Sequence, residues 1–340
     1  MQDSLFPEPP SPLAPPPAKK AGSKVMPATP LPEWSELAAA LPPSLRLGTS
    51  SWTYPGWEGV VWQRDYPDSA LSRHGLAAYA RHPLLRAVSI DRTFYKPLEA
   101  VRLLQYAAQV PEDFRFTIKA PGMITDPMLR NEEGHAMRRN PYFLDAAHAA
   151  MVFVDPVLQG IGTRLGAMVF QISPLPPYWL ERIPELVGRL HEFLRALPSL
   201  RERAPNGVIA VEVRDREWLT KEFVQALKDV GATYCLGLHA KMPRITEQLP
   251  ILRELWPGPF VCRWNLNPVH GAFGYEDAQK KYEPYDKLQD PDPETRSELA
   301  RVISGVTSAG QSAIVTISNK SEGSAPLSVI ELARALRGVN

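Results

Sequence analysis

Polar and charged residues recur at the ends of short apolar runs, and this is where the chain could do chemistry. The run 45–50 leads into Thr49, Ser50, Trp52 and Tyr54, the run 87–90 into Asp91, Arg92, Thr93 and Tyr95, and the run 114–119 into Lys119, Thr125 and Asp126. The run 165–172 ends at Gln171, 208–213 at Glu212 and Arg214, and 233–238 at His239 and Lys241. The last two, 260–264 and 313–318, end at Arg263, Asn265 and Asn267, and at Asn319 and Lys320. If these ends converge, they form a mouth with two carboxylates and several cations, suited to a ligand that carries hydrogen-bonding groups and negative charge.

Glu212 follows small and β-branched residues, where a charge is costly unless Arg214, Lys119 or Arg263 satisfies it. It reads as an acid/base or ligand anchor near the barrel axis, with a buried structural ion pair as the alternative. Lys119 leaves the alternating Phe114, Phe116, Ile118 face at the mouth, where its ammonium would hold a phosphate or carboxylate. Schiff-base chemistry would need burial to depress its pKa, and the sequence carries no sign of that. Asp91 completes the catalytic set by orienting a polar group. Thr49, Trp52, Tyr54, Tyr95, Gln171, Arg214, His239, Arg263 and Asn319 are the expected ligand-binding residues, with Trp52, Tyr54, Trp57 and Tyr95 either an aromatic wall or loop anchors. Asp91, Glu212 and His239 invite a metal. However, the chain has no His-x-x-x-His pair, and Lys119 and Arg214 would repel a cation, so no metal and no cofactor are expected.

To bring these residues together the chain must alternate strands and helices. The eight apolar runs are each followed by an amphipathic stretch, over 71–81, 99–109, 142–154, 181–197, 219–230, 247–255, 295–309 and 326–337. Eight βα units in about 300 residues are the arithmetic of a (β/α)8 TIM barrel, an α/β fold, with a doubly wound open sheet as the rival. The first βα turn lacks Gly-x-Gly-x-x-Gly, which argues against a dinucleotide site. Residues 1–32 hold ten of the 36 prolines and read as a disordered tail. A short helix over 34–40 follows, closed by Pro42 and Pro43, and the barrel domain fills 33–340. The segment 275–288 sets Lys280, Lys281, Tyr282, Tyr285 and Lys287 among Glu276, Asp277, Glu283 and Asp286; the charges nearly cancel, which predicts a solvated surface loop.

A net charge of +1 argues against nucleic-acid binding through bulk charge. Two cysteines, Cys235 and Cys262, are too few for a disulfide framework and read as buried thiols in a reducing compartment. No apolar stretch approaches the ~18 residues of a membrane span, so a cytoplasmic protein without a membrane partner is expected.

Five segments in order carry a family resemblance. They are Gly48-Thr49-Ser50-Ser51-Trp52-Thr53-Tyr54-Pro55-Gly56-Trp57; Thr93-Phe94-Tyr95; the stretch from Phe114 to Ala120; Val211-Glu212-Val213-Arg214 with Trp218; and Asn319 with Gly323, Ala325 and Pro326. Together they resemble the YecE-like family, also known as domain of unknown function 72, over about residues 45–336. The resemblance implies a TIM barrel with a shared pocket and supplies no reaction. This chain departs from the family pattern at Ser89 and Asp91, where a Glu-x-Asn is usual, at Thr125-Asp126, where a Thr-His is usual, and after Arg263, where Trp264-Asn265 replace a His-Gly pair.

The expected function is binding of a small anionic, phosphate- or carboxylate-bearing ligand at the C-terminal mouth of the barrel. In an enzyme, Glu212 would act as acid/base while Lys119, Arg214 and Arg263 hold charge. The alternatives are a nucleic-acid-binding or repair-type barrel and a non-catalytic interaction protein that uses its proline-rich tail.

Overall fold

The computed structural model describes residues 24–131, 135–272 and 274–339. Strands β1 (Leu45–Thr49), β2 (Ala87–Ile90) and β3 (Arg115–Lys119) are followed by a hairpin, β4 (Met128–Arg130) and β5 (Ala136–Arg139). Then come β6 (Leu165–Gln171), β7 (Val208–Glu212), β8 (Thr233–Leu238), β9 (Phe260–Trp264) and β10 (Ala313–Ile317). All but the hairpin join in one closed parallel barrel, in the ring order β1-β10-β9-β8-β7-β6-β3-β2. Closure is made by β1, which pairs along its whole length with Ala313–Ile317 on one side and through Gly48 and Thr49 with Ala87 and Val88 on the other. The open-sheet alternative is thereby excluded. The strands read as continuous apolar runs because both faces of each are covered.

Two cores result. The larger lies between the outer face of the barrel and its helices and includes Phe116, Phe170, Leu190 and Phe193. The smaller fills the barrel with Ala167, Val169, Ala210, Cys235 and Val261. Strand residues alternate faces, so stepping two positions from these interior residues gives Gln171, Glu212, Gly237 and Arg263. Gln171 sits opposite Glu212, and Gly237 opposite Arg263, which stacks the polar residues as the top layer of the interior.

Gly48 has a steric reason. A Cβ there would lie 1.9 Å from the Ala87 carbonyl oxygen, a backbone atom of the neighbouring strand that cannot swing away. Gly48→Ala should therefore lower stability by roughly 2–3 kcal/mol in chemical denaturation. A loss below about 0.5 kcal/mol, the ordinary surface value, would mean that β1 and β2 can separate freely.

On the N-terminal side, contacts with the barrel begin within the stretch expected to be a tail. Val25 is buried, Pro27 bridges Trp62, the Met26 N–H donates to Tyr66 Oη at 3.0 Å, and a helix runs Pro32–Ala40. Residues 25–28 thus pack on the barrel while 29–32 are exposed; residues 1–23 of the expected tail fall outside the described residues. The expected surface loop at 275–288 is corrected as well. Tyr275–Tyr282 is a helix, and Tyr282 and Tyr285 are buried. Tyr275, Ala278 and Tyr282 stand at i, i+3 and i+7, so they share the inward face while the charges between them turn outward. The helix expected to stop at Val154 continues as Asp155–Gly160 after a π-turn, Ala150–Val154; the wider turn accommodates Pro156, which has no N–H to donate. Among the described residues no helix is long and apolar enough to cross a membrane. Cys235 and Cys262 are free and buried in β8 and β9.

Candidate functional site

Arg263, two steps along β9 from interior Val261, is the hub of the top layer. Its Nη1 lies 2.5 Å from Glu212 Oε2 and its Nη2 lies 2.5 Å from Asp91 Oδ2. Glu212 also meets Arg214 Nη2 through Oε1 at 2.7 Å and accepts from Asn265 Nδ2 at 3.0 Å. Gly237 makes room for this: a Cβ there would sit 3.1 Å from Glu212 Oε1. Burial acts to raise the Glu212 pKa, but Arg214 and Arg263 overcome it and hold the carboxyl down at about 2. Asp91 is fixed on its other oxygen by Ser89 Oγ at 2.6 Å, and Arg214 also donates to Gln171 Oε1 at 3.0 Å and to Tyr275 Oη at 3.3 Å. Two arginines and two carboxylates therefore balance one another.

Lys119 lies outside this balance. Its Nζ sits 3.7 Å from the centroid of the Phe94 ring, and among the described residues it makes no ion pair and no side-chain hydrogen bond. Burial, then Arg263, lowers its pKa from 10.5 to about 7, with Arg214 acting the same way and Asp91 and Glu212 opposing. The depression that the sequence could not reveal comes from tertiary packing.

Above these groups opens a cavity of about 810 Å³. It is lined by Asp91, Lys119, Gln171, Arg214, His239 and Arg263, and by Trp52, Tyr54 and Tyr95 on the rim side. Tyr54 is a protonated phenol, its pKa raised to about 12 by burial and by Asp91. His239 is neutral: burial and Arg214 push it down to about 3, and its Nδ1 accepts the Lys241 N–H at 3.1 Å.

Three expected residues do not line the cavity. Glu212 is wholly buried beneath it. Thr49 is turned into the wall, its hydroxyl donating to the Ser51 carbonyl at 2.6 Å and lying 2.8 Å from Tyr79 Oη. Asn319 accepts the Trp57 Nε1–H at 3.2 Å and the Ala325 N–H at 2.8 Å. Trp57, buried at that contact, is a loop anchor and no part of the aromatic wall. Trp57, Asn319 and Ala325 are motif residues from opposite ends of the chain, so this contact joins the two ends where the barrel closes.

The family model for "Protein of unknown function DUF72" matches residues 46–339. The chain belongs to the DUF72 family. Among solved structures, a DUF72 family protein (EF0366) from Enterococcus faecalis V583 is similar with a TM-score of 0.55 and 17% identity, covering 86% of this chain and 95% of that one. A DUF72 family protein (TM1631) from Thermotoga maritima MSB8 is similar with a TM-score of 0.52 and 19% identity, covering 86% and 99%. At these identities the likeness concerns the fold. No curated protein matches the chain by sequence.

This DUF72 mouth also uses residues beyond the expected catalytic and ligand-binding set. Phe94 and Tyr275 line the cavity and contact Lys119 and Arg214 respectively, while Asn265 and Ser89 hold the two carboxylates. Asn265 was legible as the position two beyond Arg263, on the same face. Tyr275 was hidden in a charge-rich segment. Asp126 lines the cavity and pairs with Arg130 of the hairpin at 2.7 Å. Among the described residues no group of three His, Cys, Asp or Glu side chains could hold a metal ion.

Proposed function

We propose that the barrel mouth binds a small anionic ligand bearing a phosphate or carboxylate, with Lys119 as its primary charge partner. The supporting observation is a charge imbalance: Asp91 and Glu212 are matched by Arg263 and Arg214, and Lys119, in a cavity whose lining cations outnumber its carboxylates, is left with no ion pair among the described residues. An anion beside Nζ would replace the water that the amine has lost. In this reading Arg214 and Arg263 lend their field, Asp91 orients a polar group, His239 and Gln171 offer neutral hydrogen-bonding groups, and Trp52, Tyr54 and Tyr95 cover the ligand's apolar parts. Glu212, clamped beneath the cavity, is a positioning residue. The two buried free thiols favour a cytoplasmic setting.

Thermal unfolding with increasing phosphate or sulfate, at ionic strength held constant with chloride, tests this. Saturable stabilisation is expected, about 2.7 kcal/mol at a hundredfold excess over Kd, and should vanish in Lys119→Ala. Sulfate keeps its charge near neutrality, so its pH series isolates the amine. A bound anion raises the Lys119 pKa above about 7, so binding takes up a proton and sulfate affinity should fall as pH rises above 7. Absence of stabilisation, or tight oligonucleotide binding with a steep salt dependence, would overturn the assignment.

A further inference from the structure

We propose that the anion carries a carbonyl group and that Lys119 Nζ condenses with it to form an imine. This rests on the anion-site reading and narrows its ligand class to 2-oxo acids and to ketone or aldehyde phosphates. The geometry places the Lys119 amine inside the cavity, with the Phe94 ring on one side and, among the described residues, no carboxylate paired to it. The nearest acids are occupied: Glu212 by Arg214, Arg263 and Asn265, and Asp91 by Arg263 and Ser89. A lysine serving only to hold charge does not need this setting. Enclosure beside two guanidiniums disfavours the ammonium and leaves the nitrogen lone pair available near neutral pH, which a nucleophile requires.

The step conserves electrons. The Nζ lone pair attacks the carbonyl carbon and a C–N bond forms. The two protons of the neutral amine pass to the former carbonyl oxygen, the C–O bond breaks, and one water leaves. The arginines hold the ligand's own anionic group, which keeps the carbonyl over Nζ and balances the charge of the protonated imine. Lys320 supplies the internal comparison. Its ammonium also lines the cavity and has a lowered pKa, but it donates to Gln279 Oε1 at 3.3 Å and lies over Tyr275.

The test treats the intact protein at pH 7.5 with pyruvate or dihydroxyacetone phosphate plus sodium cyanoborohydride, which delivers hydride to an imine and fixes it as a secondary amine. Lactate and glycerol 3-phosphate, which lack the carbonyl, serve as controls, and peptide mapping by mass spectrometry locates the adduct. At that pH a lysine titrating near 7 presents several-hundred-fold more free amine than one titrating near 10.4, so labelling of Lys119 should exceed that of any other lysine at least tenfold. Pyruvate labelling alone would assign the ligand to oxo acids, and labelling by the phosphate alone to carbonyl phosphates. Lys119→Arg, checked for native circular dichroism, should lose the adduct. Labelling on Lys320, or labelling spread over surface lysines, would overturn the proposal, as would no adduct from a protein that phosphate stabilises; that last result leaves the anion site intact. Absence of both adduct and stabilisation overturns the two readings together.

Discussion

Glu212→Gln should lose roughly 3–5 kcal/mol of folding stability, measured by urea denaturation at pH 7, because it strips a charge from beneath two buried guanidiniums. Arg214 would keep no carboxylate, and Arg263 would keep only Asp91. The amide is nearly isosteric, so packing is preserved and the loss reports the missing charge. The pH dependence provides an independent check. The folded pKa, about 2, lies below the ordinary 4.5, so the stabilisation is fully present above pH 4.5 and is lost as pH falls toward 2. Over that window wild type should lose stability more steeply than the variant, and the two curves should converge at its acid end. A loss under about 1 kcal/mol, the value of an exposed pair, would mean that the charge is not structural and would return Glu212 to consideration as an acid/base.

Lys119→Met should move stability the other way. The folded amine titrates at about 7 and the unfolded one near 10.5, so the unfolded chain binds more protons between those values and wild-type stability rises with pH across that window. Below pH 7 the enclosed ammonium is a full liability. Its pKa displacement converts to nearly 5 kcal/mol, and the open cavity screens the charge enough to reduce the expected gain to about 2 kcal/mol at pH 6. Methionine has a similar length, and its sulfur can rest on the Phe94 face that Nζ occupies. The gain should shrink as pH approaches 10, and phosphate should no longer stabilise the protein. This pattern, more stable but without ligand response, marks a residue retained for function at a cost to the fold. A variant less stable than wild type at pH 6 would make Lys119 a structural residue and remove the basis of the anion site.

The barrel was legible in the order of residues alone. Eight apolar runs matched eight strands to within a residue or so, since a strand covered on both faces must be apolar throughout and polar residues can appear only where it ends. That rule also marked Asp91, Lys119, Gln171, Arg214, His239 and Arg263 as mouth residues, and all six line the cavity. It did not determine which polar end residues face the ligand. Thr49 and Asn319 obey the same pattern, yet Tyr79 engages one, and Trp57 and Ala325 the other, across contacts of 30, 262 and 6 positions. Tyr275 and the segment 25–28 escaped for a related reason: their contacts are made with distant parts of the chain, and local composition masks them. Charge state was the least legible property of all. A lysine at a strand end has the same formula whether it is paired, solvated or enclosed. Only the closed barrel, by bringing Arg214 and Arg263 beside Lys119 while engaging Asp91 and Glu212 with the arginines, decided that Lys119 is left without a carboxylate partner among the described residues.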